Sequence, residues 1–497
     1  MPAKKLTIES KKSGSGDAKV TPKQSKSLGR STKDFTVREL HEHIMESPDM
    51  FIGSTRKRMT DEWIYDFETQ RMKKVQMDLP DGVKRVFLEI LTNAGDNSFY
   101  SMYNGVDPGP VCFEFSSDGY LSITNGGLPM PVEPHTTTTK DKLIYVPQSA
   151  FGVLMSSTNY DKSTERLGCG RNGFGSKLTN IYSKHFIAEV GDSGRLDENG
   201  EAISGQLYKG EWKNNMFDVV KSEAKPGYVQ DSDEPNNHGW RRRQSNEYTG
   251  KSFVKIEWLL DFERFGMTDA ETEAEGQSEG RGKEGGYNDN ELCLFARYVL
   301  EVSLSCQIPV KINGQSYDFR DIRKFASLFW DSSIVSRAVS QFCWPKGEDV
   351  PEEFLEAKPP QREKLALEPK YSRQIESRTL ILDTPDSKEV LSYANGMNTI
   401  EGGVHVEAIY KKLCPTIAEF GTDGFKRTKK EKVQSKAARR AAKSGIKKGM
   451  MRTKGKKGDD DKDTPKVEIK PADIKPHLSI VTVCRVFDPE WDSQSKK

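Results

Sequence analysis

The sequence predicts an α/β protein, and three patterns carry that prediction. Apolar residues at Val83, Val86, Phe87, Ile90, Leu91 and Ala94 form a stripe of period near 3.6, the mark of a helix buried along one face. The runs VCFEF and YLSIT alternate around the turn Ser116-Ser117-Asp118-Gly119, which reads as a β-hairpin ending at Asn125-Gly126-Gly127. Further strand-like pieces, HFIAEV and SFVKIEWLL, follow a helix-like KLTNIYS. The length of 497 residues gives room for two or three domains, and 34% hydrophobic residues suffice for real cores. With 76 Lys and Arg against 74 Asp and Glu, the net charge of +2 is silent about partners.

No apolar run approaches the ~18 residues that a membrane span needs, and MPAKKLTIESKKSGSG has no apolar signal core. The expectation is therefore a soluble intracellular chain. Its cysteines, at 112, 169, 293, 306, 343, 414 and 484, form no C-x-x-C pair and read as reduced thiols.

Residues 1–34 are rich in Lys, Ser and Gly, and read as a flexible basic arm that cannot offset the entropy of ordering. In VRELHEHIMESPDMFIGS, Leu40, Ile44 and Met45 stand at helical spacing, and Pro48 with Asp49 is expected to stop that helix before Gly53. The helix at 83–97 and the hairpin follow. A polar stretch then leads through Tyr160 to a glycine cluster at 168–175. Residues 269–290 turn acidic and glycine-rich and read as a disordered insertion near a domain boundary. A second domain, 266–497, is expected to hold IPVKINGQ, RTLILD and VHVEAIYKKL. It is interrupted at about 425–465 by fifteen Lys or Arg between Lys426 and Lys457 with one acid, Glu431.

The glycine cluster Gly168-Cys-Gly-Arg-Asn-Gly-Phe-Gly175 contains G-x-G-x-x-G, a weak signal alone. A dinucleotide fold needs a hydrophobic strand before the first glycine, whereas STNYDKSTERL precedes it here. A P-loop needs its lysine next to the last glycine, and Ser176 intervenes before Lys177. The third reading is a glycine-rich lid whose backbone N–H groups and following helix face a triphosphate. The bland alternative is a flexible loop. On the preceding helix, Glu89, Asn93 and Asn97 lie at i, i+4 and i+8, with Asp96 beside them. A carboxylate there can deprotonate a water, and an amide oxygen one turn on can ligate Mg²⁺ already held by phosphates. The alternative is an ordinary polar face.

The order EILTNAGDN, NGG, SSTNYD, GRNGFGSK resembles the ATPase region of type IIA DNA topoisomerases of the eukaryotic type, members of the GHKL superfamily. The resemblance extends to LHEHIMESPDMFIGS, YVPQSAFGVLMSSTNYD, GEWKNNM, DFERFGM, NTIEGGVHVE and DPEWDSQSKK. It implies a GHKL (Bergerat) ATPase domain, helices layered on a mixed sheet, at 35–265. An α/β transducer domain of ribosomal-S5-like type follows at 266–497. It further implies that Glu89 is the general base and Asn93 the protein ligand of Mg²⁺, supported by Asp96 and Asn97. Ser157, Thr158 and Asn159 match the stretch that contacts ribose and phosphates. Arg171, Asn172, Gly173, Phe174, Gly175 and Lys177 match the loop over the triphosphate. Gln494 and Lys496 of the terminal QSK match a loop whose lysine reaches the γ-phosphate.

Where the family reads N-D/N-G-K-G-I-P, this chain has Asn125-Gly126-Gly127-Leu128-Pro129-Met130-Pro131. Gly126 replaces the acid or amide that reads adenine, or a one-residue shift gives that task to Asn125. The chain ends where family members continue into TOPRIM and DNA-cleaving tyrosine domains, so no DNA-breaking chemistry is assigned to it. The expected function is the ATP-hydrolysing N-gate of such an enzyme, with ATP and Mg²⁺ as cofactors. Double-stranded DNA, a second copy joined through the ATPase domain and N-terminal arm, and the remaining topoisomerase core are the expected partners. A nucleotide-gated DNA clamp without turnover and another GHKL ATPase are the competing readings.

Overall fold

In the computed structural model, the residues described are 39–134, 144–156, 174–196, 199–225, 228–230, 240–242, 248, 250–268, 285–345, 348–385, 388–399, 402–422 and 469–486. The glycine cluster before Phe174, residues 157–159, the basic stretch and the terminal QSK lie outside them, as do the N-terminal arm and most of the acidic insertion.

The chain opens with helices α1 (Leu40–Glu46) and α2 (Pro48–Phe51). Pro48 was expected to stop a helix and also starts one. It occupies the first turn of α2, where a missing N–H costs nothing because that donor has no partner inside the helix. A hairpin of β1 (Thr60–Asp66) and β2 (Arg71–Met77), not anticipated from the sequence, precedes α3 (Asp81–Tyr103). Then come β3 (Val111–Phe115), β4 (Tyr120–Gly126), α4 (Val146–Gly152), α5 (Gly175–Ile181) and β5 (Ser183–Asp192). The short pair β6 (Arg195–Leu196) and β7 (Ala202–Ile203) is followed by β8 (Gln206–Lys213), β9 (Asp218–Lys225), β10 (Tyr228–Gln230), β11 (Trp240–Arg242) and β12 (Phe253–Leu260). Helix α6 (Asp289–Cys306) leads to β13 (Val310–Ile312) and β14 (Gln315–Tyr317).

An eight-stranded sheet in the order β14-β13-β3-β4-β12-β5-β8-β9 forms the first layer. Its pairings are antiparallel except that β13 runs parallel to β3, with Val310 opposite Val111. Strand β13, expected in a second domain, is thus an inner strand of the first sheet. Helix α3 packs against β3, β4, α5 and α6. All six residues of its predicted stripe are buried. Phe87 stacks on Phe295 of α6 with ring centroids 4.3 Å apart and meets Phe113 of β3 edge-on at 5.2 Å. Burying one such ring contributes about 1.5–3 kcal/mol, so this aromatic cluster alone ties helix, sheet and α6 firmly. Helix α6 starts cleanly because Asn288 and Glu291 form a reciprocal capping box.

The second sheet has five strands in the order β15 (Val339–Cys343), β16 (Ser377–Asp383), β19 (Leu478–Cys484), β17 (Val390–Ala394), β18 (Met397–Asn398). Strands β17 and β19 are parallel. The helix at 404–422, which contains VHVEAIYKKL, lays Val406, Tyr410 and Cys414 on Leu478 and Ile480. A smaller cluster around Phe354, Leu365 and Tyr371 fills the connection between β15 and β16. Leu380, Leu391, Tyr393, Val481 and Val483 share one core with the first layer. Among the described residues no helix is long and apolar enough to cross a membrane.

Candidate active site

Helix α3 is apolar toward the sheet and carries its polar groups on the remaining arc. Glu89 lies on that arc yet is only 7% exposed, and Arg85, one turn earlier and equally buried, forms an ion pair with it. A carboxylate taken this far from water needs such a partner. The start of α5 covers it: a Cβ added to Gly175 would collide with Glu89 Oε2 and stand 3.7 Å from Asn93 Nδ2. Glycine is therefore what lets α5 begin directly over the acid and the exposed amide of Asn93.

Helix α5 is held from beneath by side chains that satisfy backbone carbonyls. Thr179 Oγ1 donates to Val86 O of α3 at 2.9 Å, Asn180 Nδ2 to Phe151 O of α4 at 3.0 Å, and Ser176 Oγ to Ala150 O at 3.1 Å. Phe174, just before the helix, lies 6.1 Å from the ring of Phe51. Lys177 is 2% exposed, and its ammonium donates to Ser156 O at 2.6 Å. Burial drives its pKa from 10.5 down to about 8. Ser156 is also the last described residue before Ser157-Thr158-Asn159.

The hairpin end joins from the other side. Asn97 Nδ2 and Asn125 Nδ2 both donate to Gly126 O at 3.1 Å, and Asn125 is 6% exposed on the face of β4 shared with Leu121 and Ile123. Gly126 is enclosed by backbone, since a Cβ there would stand 2.7 Å from Pro108 O and 3.3 Å from Ser252 O. Gly127 adopts φ +107°, a conformation that favours glycine, and Leu128 N then donates to Ser101 Oγ at 2.8 Å.

The structure thus brings together Glu89, Asn93, Asn97, Asn125, Phe174, Gly175 and Lys177. Asp96 takes a different neighbourhood, a small cavity lined also by Phe99, Cys306, Asn395 and Arg485. Ser157, Thr158, Asn159, Arg171, Asn172, Gly173, Gln494 and Lys496 lie outside the described residues. Sequence reasoning missed Arg85, although its i, i+4 spacing to Glu89 was the available signal. Among the described residues no group of three His, Cys, Asp or Glu side chains could hold a metal ion.

No family model matches the chain. Over 473 residues it is 26% identical to the probable DNA topoisomerase 2 of Dictyostelium discoideum, which covers 94% of this chain and 23% of that protein. DNA topoisomerase 2 of Plasmodium falciparum is 30% identical over 291 residues, 58% of this chain and 17% of the relative. The crystal structure of the ATPase region of Saccharomyces cerevisiae topoisomerase II superposes with a TM-score of 0.61 at 22% identity, covering 94% of this chain and 89% of that one. By sequence this chain is similar to DNA topoisomerase 2 proteins, and its fold is that of the ATPase region of Saccharomyces cerevisiae topoisomerase II. The ATPase and transducer domains of topoisomerase II from Balamuthia mandrillaris superpose equally well, with a TM-score of 0.61 at 20% identity and 94% of this chain covered. The mixed α/β architecture is accordingly that of the topoisomerase II ATPase and transducer pair. The chain spans about a fifth of the length of the topoisomerase relatives it matches.

Proposed function

We propose that this chain is the ATP-binding and ATP-hydrolysing N-gate of a type II DNA topoisomerase, in which nucleotide-driven dimerisation captures a DNA segment and hydrolysis resets the gate. One observation carries the reading: Glu89 is buried beside Arg85 and lies directly under the glycine that opens α5, with Asn93 beside it. Binding alone requires no such base.

In this reading Glu89 accepts a proton from the attacking water, and Arg85 fixes which way its carboxylate points. Asn93 offers an amide oxygen to Mg²⁺. With no acidic cluster nearby among the described residues, that ion would draw its other oxygens from nucleotide phosphates and water. When bound, Mg²⁺ neutralises charge on the phosphate oxygens. Lys177 meets the triphosphate together with Arg171, Asn172 and Gly173, and Phe174 and Gly175 close the lid. Ser157, Thr158 and Asn159 hold ribose and phosphate, and Asn125, buried at the strand end, reads adenine with Asn97 bracing the turn. Gln494 and Lys496 reach the γ-phosphate, and Asp96 supports α3 from the transducer side. Strands β13 and β14, which lie beyond the division expected at 35–265 and 266–497, pair within the first sheet.

The partners proposed are double-stranded DNA, a second copy engaged through the ATPase domain and N-terminal arm, and the TOPRIM and cleavage domains of a complete enzyme. The decisive experiment is Glu89→Ala. Nucleotide binding and nucleotide-dependent dimerisation should persist while turnover falls by about 10²-fold or more. Near-normal steady-state hydrolysis would remove Glu89 from its role and leave a DNA clamp as the better reading.

A further inference from the structure

Helix α6 carries a buried carboxylate that the reading above leaves without a task. Glu301 is 5% exposed and receives four hydrogen bonds from three side chains. Arg297 Nε donates to its Oε1 at 2.8 Å from one turn earlier in the same helix. Tyr393 OH donates at 3.0 Å, and Asn398 Nδ2 at 3.2 and 3.3 Å to the two oxygens. Tyr393 and Asn398 face each other across the β17–β18 hairpin of the second sheet. One carboxylate therefore holds both strands of that hairpin against α6.

The connection continues to the catalytic helix by three routes. Arg297 Nη1 also donates to Trp63 O at 3.0 Å and lies 3.8 Å from Glu62, whose other oxygen takes Lys84 Nζ of α3 at 2.7 Å. Lys84 adjoins Arg85, the partner of Glu89. Directly, Thr92 Oγ1 of α3 donates to Met397 Sδ of the hairpin at 3.0 Å, one residue before Asn93. Strand β19, parallel to β17, ends beside Arg485, whose guanidinium stacks over Phe99 of α3 at 4.2 Å. The hairpin thus touches α3 at the turn that carries Asn93.

We infer that Glu301 is a positioning residue: by clamping Tyr393 and Asn398 it sets where the β17–β18 hairpin holds α3, and so the placement of Glu89 and Asn93 for hydrolysis. This rests on the ATPase reading. A buried carboxylate whose donors come from a helix and from both strands of a hairpin has one well-satisfied arrangement, so a shift of the hairpin must break bonds or carry α3 with it. The donors, unlike the acid, can be removed without stranding a charge, because Arg297 stays paired with Glu301.

The test is Tyr393→Phe together with Asn398→Ala in the full chain, with Glu89→Ala measured in parallel. The double variant should melt within a few degrees of the parent and keep its KM for ATP, while kcat falls about tenfold. A folded double variant with parental kcat overturns the inference, as does a loss in kcat matched by an equal rise in KM. Should the double variant fail to fold, Tyr393→Phe alone serves, with hydrogen exchange at residues 92–98. Faster exchange there with lower kcat supports the inference, and parental values of both overturn it. If Glu89→Ala is also fully active, the ATPase reading itself fails; if only the hairpin variants are active, the Glu301 inference alone falls.

Discussion

Nucleotide binding should draw a proton onto Lys177. Its amine is enclosed, donates to Ser156 O at 2.6 Å, and is pushed by burial to a pKa of about 8. A triphosphate alongside restores the charged form, because an opposite charge at contact distance offsets the desolvation. At pH 8.5 about a quarter of the amine is protonated in the free protein, so binding takes up about 0.75 proton; at pH 7 the uptake falls to about 0.1. Apparent affinity for ATP therefore drops nearly tenfold from pH 8.5 to 9.5. Titration calorimetry in two buffers of different ionisation enthalpy, at pH 7 and 8.5, reads the uptake directly, and Lys177→Met should abolish the difference. The folded pKa lies below the unfolded 10.5, so the unfolded chain binds more protons between the two values. Stability consequently rises with pH from about 8 to 10.5, and the cost is fully present below 8. Lys177→Met should stabilise the protein by up to about 3 kcal/mol at pH 7 and by nothing above pH 10.5. Equal binding enthalpies in both buffers at pH 8.5 would refute the reasoning.

Three further substitutions probe the same site. Gly175→Ala favours the helix by propensity but drives a methyl into the Glu89 carboxylate, so steady-state hydrolysis should fall about 10²-fold with little change in melting temperature; unaltered turnover would mean that the acid does not work beneath α5. Asn125→Ala should lower the preference for ATP over GTP by about 1–2 kcal/mol in competition binding, the scale of a hydrogen bond. Gly126→Asn should instead cost about 1–3 kcal/mol of stability in thermal denaturation, since its Cβ meets the backbone of Pro108 and Ser252.

Much of the fold was legible because local patterns announce it. The stripe from Val83 to Ala94 and the alternation in β3 and β4 both appear as elements. The allegiance of β13 was not, because IPVKINGQ says strand without saying which edge it joins, and its partner Val111 is far away in sequence. Pro48 was read for half of its role: it ends one helix, as expected, and also begins the next, which only the path of the chain reveals. At the site, the polar arc of α3 stood out as residue types at fixed spacing. Arg85, Lys84, Arg297 and Glu301 did not, since long charged side chains ordinarily lie on the surface and only the packed helices reveal these four as buried. Nor could the sequence show that Gly126 is crowded by the carbonyls of Pro108 and Ser252.

The parallel pairing of β13 with β3 reaches into the biosynthesis of the chain. Val111 waits for Val310, so the inner edge of β3 stays unpaired while roughly 200 further residues are made, about 10–40 s at usual rates of elongation. During that interval the ring of Phe87 also lacks Phe295, and one side of α3 stands open to water. A nascent chain in this state presents a strand edge beside an apolar helix face, the combination that chaperones bind and that neighbouring chains can capture. Slow codons or a stalled ribosome between residues 260 and 317 should accordingly reduce the yield of native protein more than the same delay placed well after Tyr317.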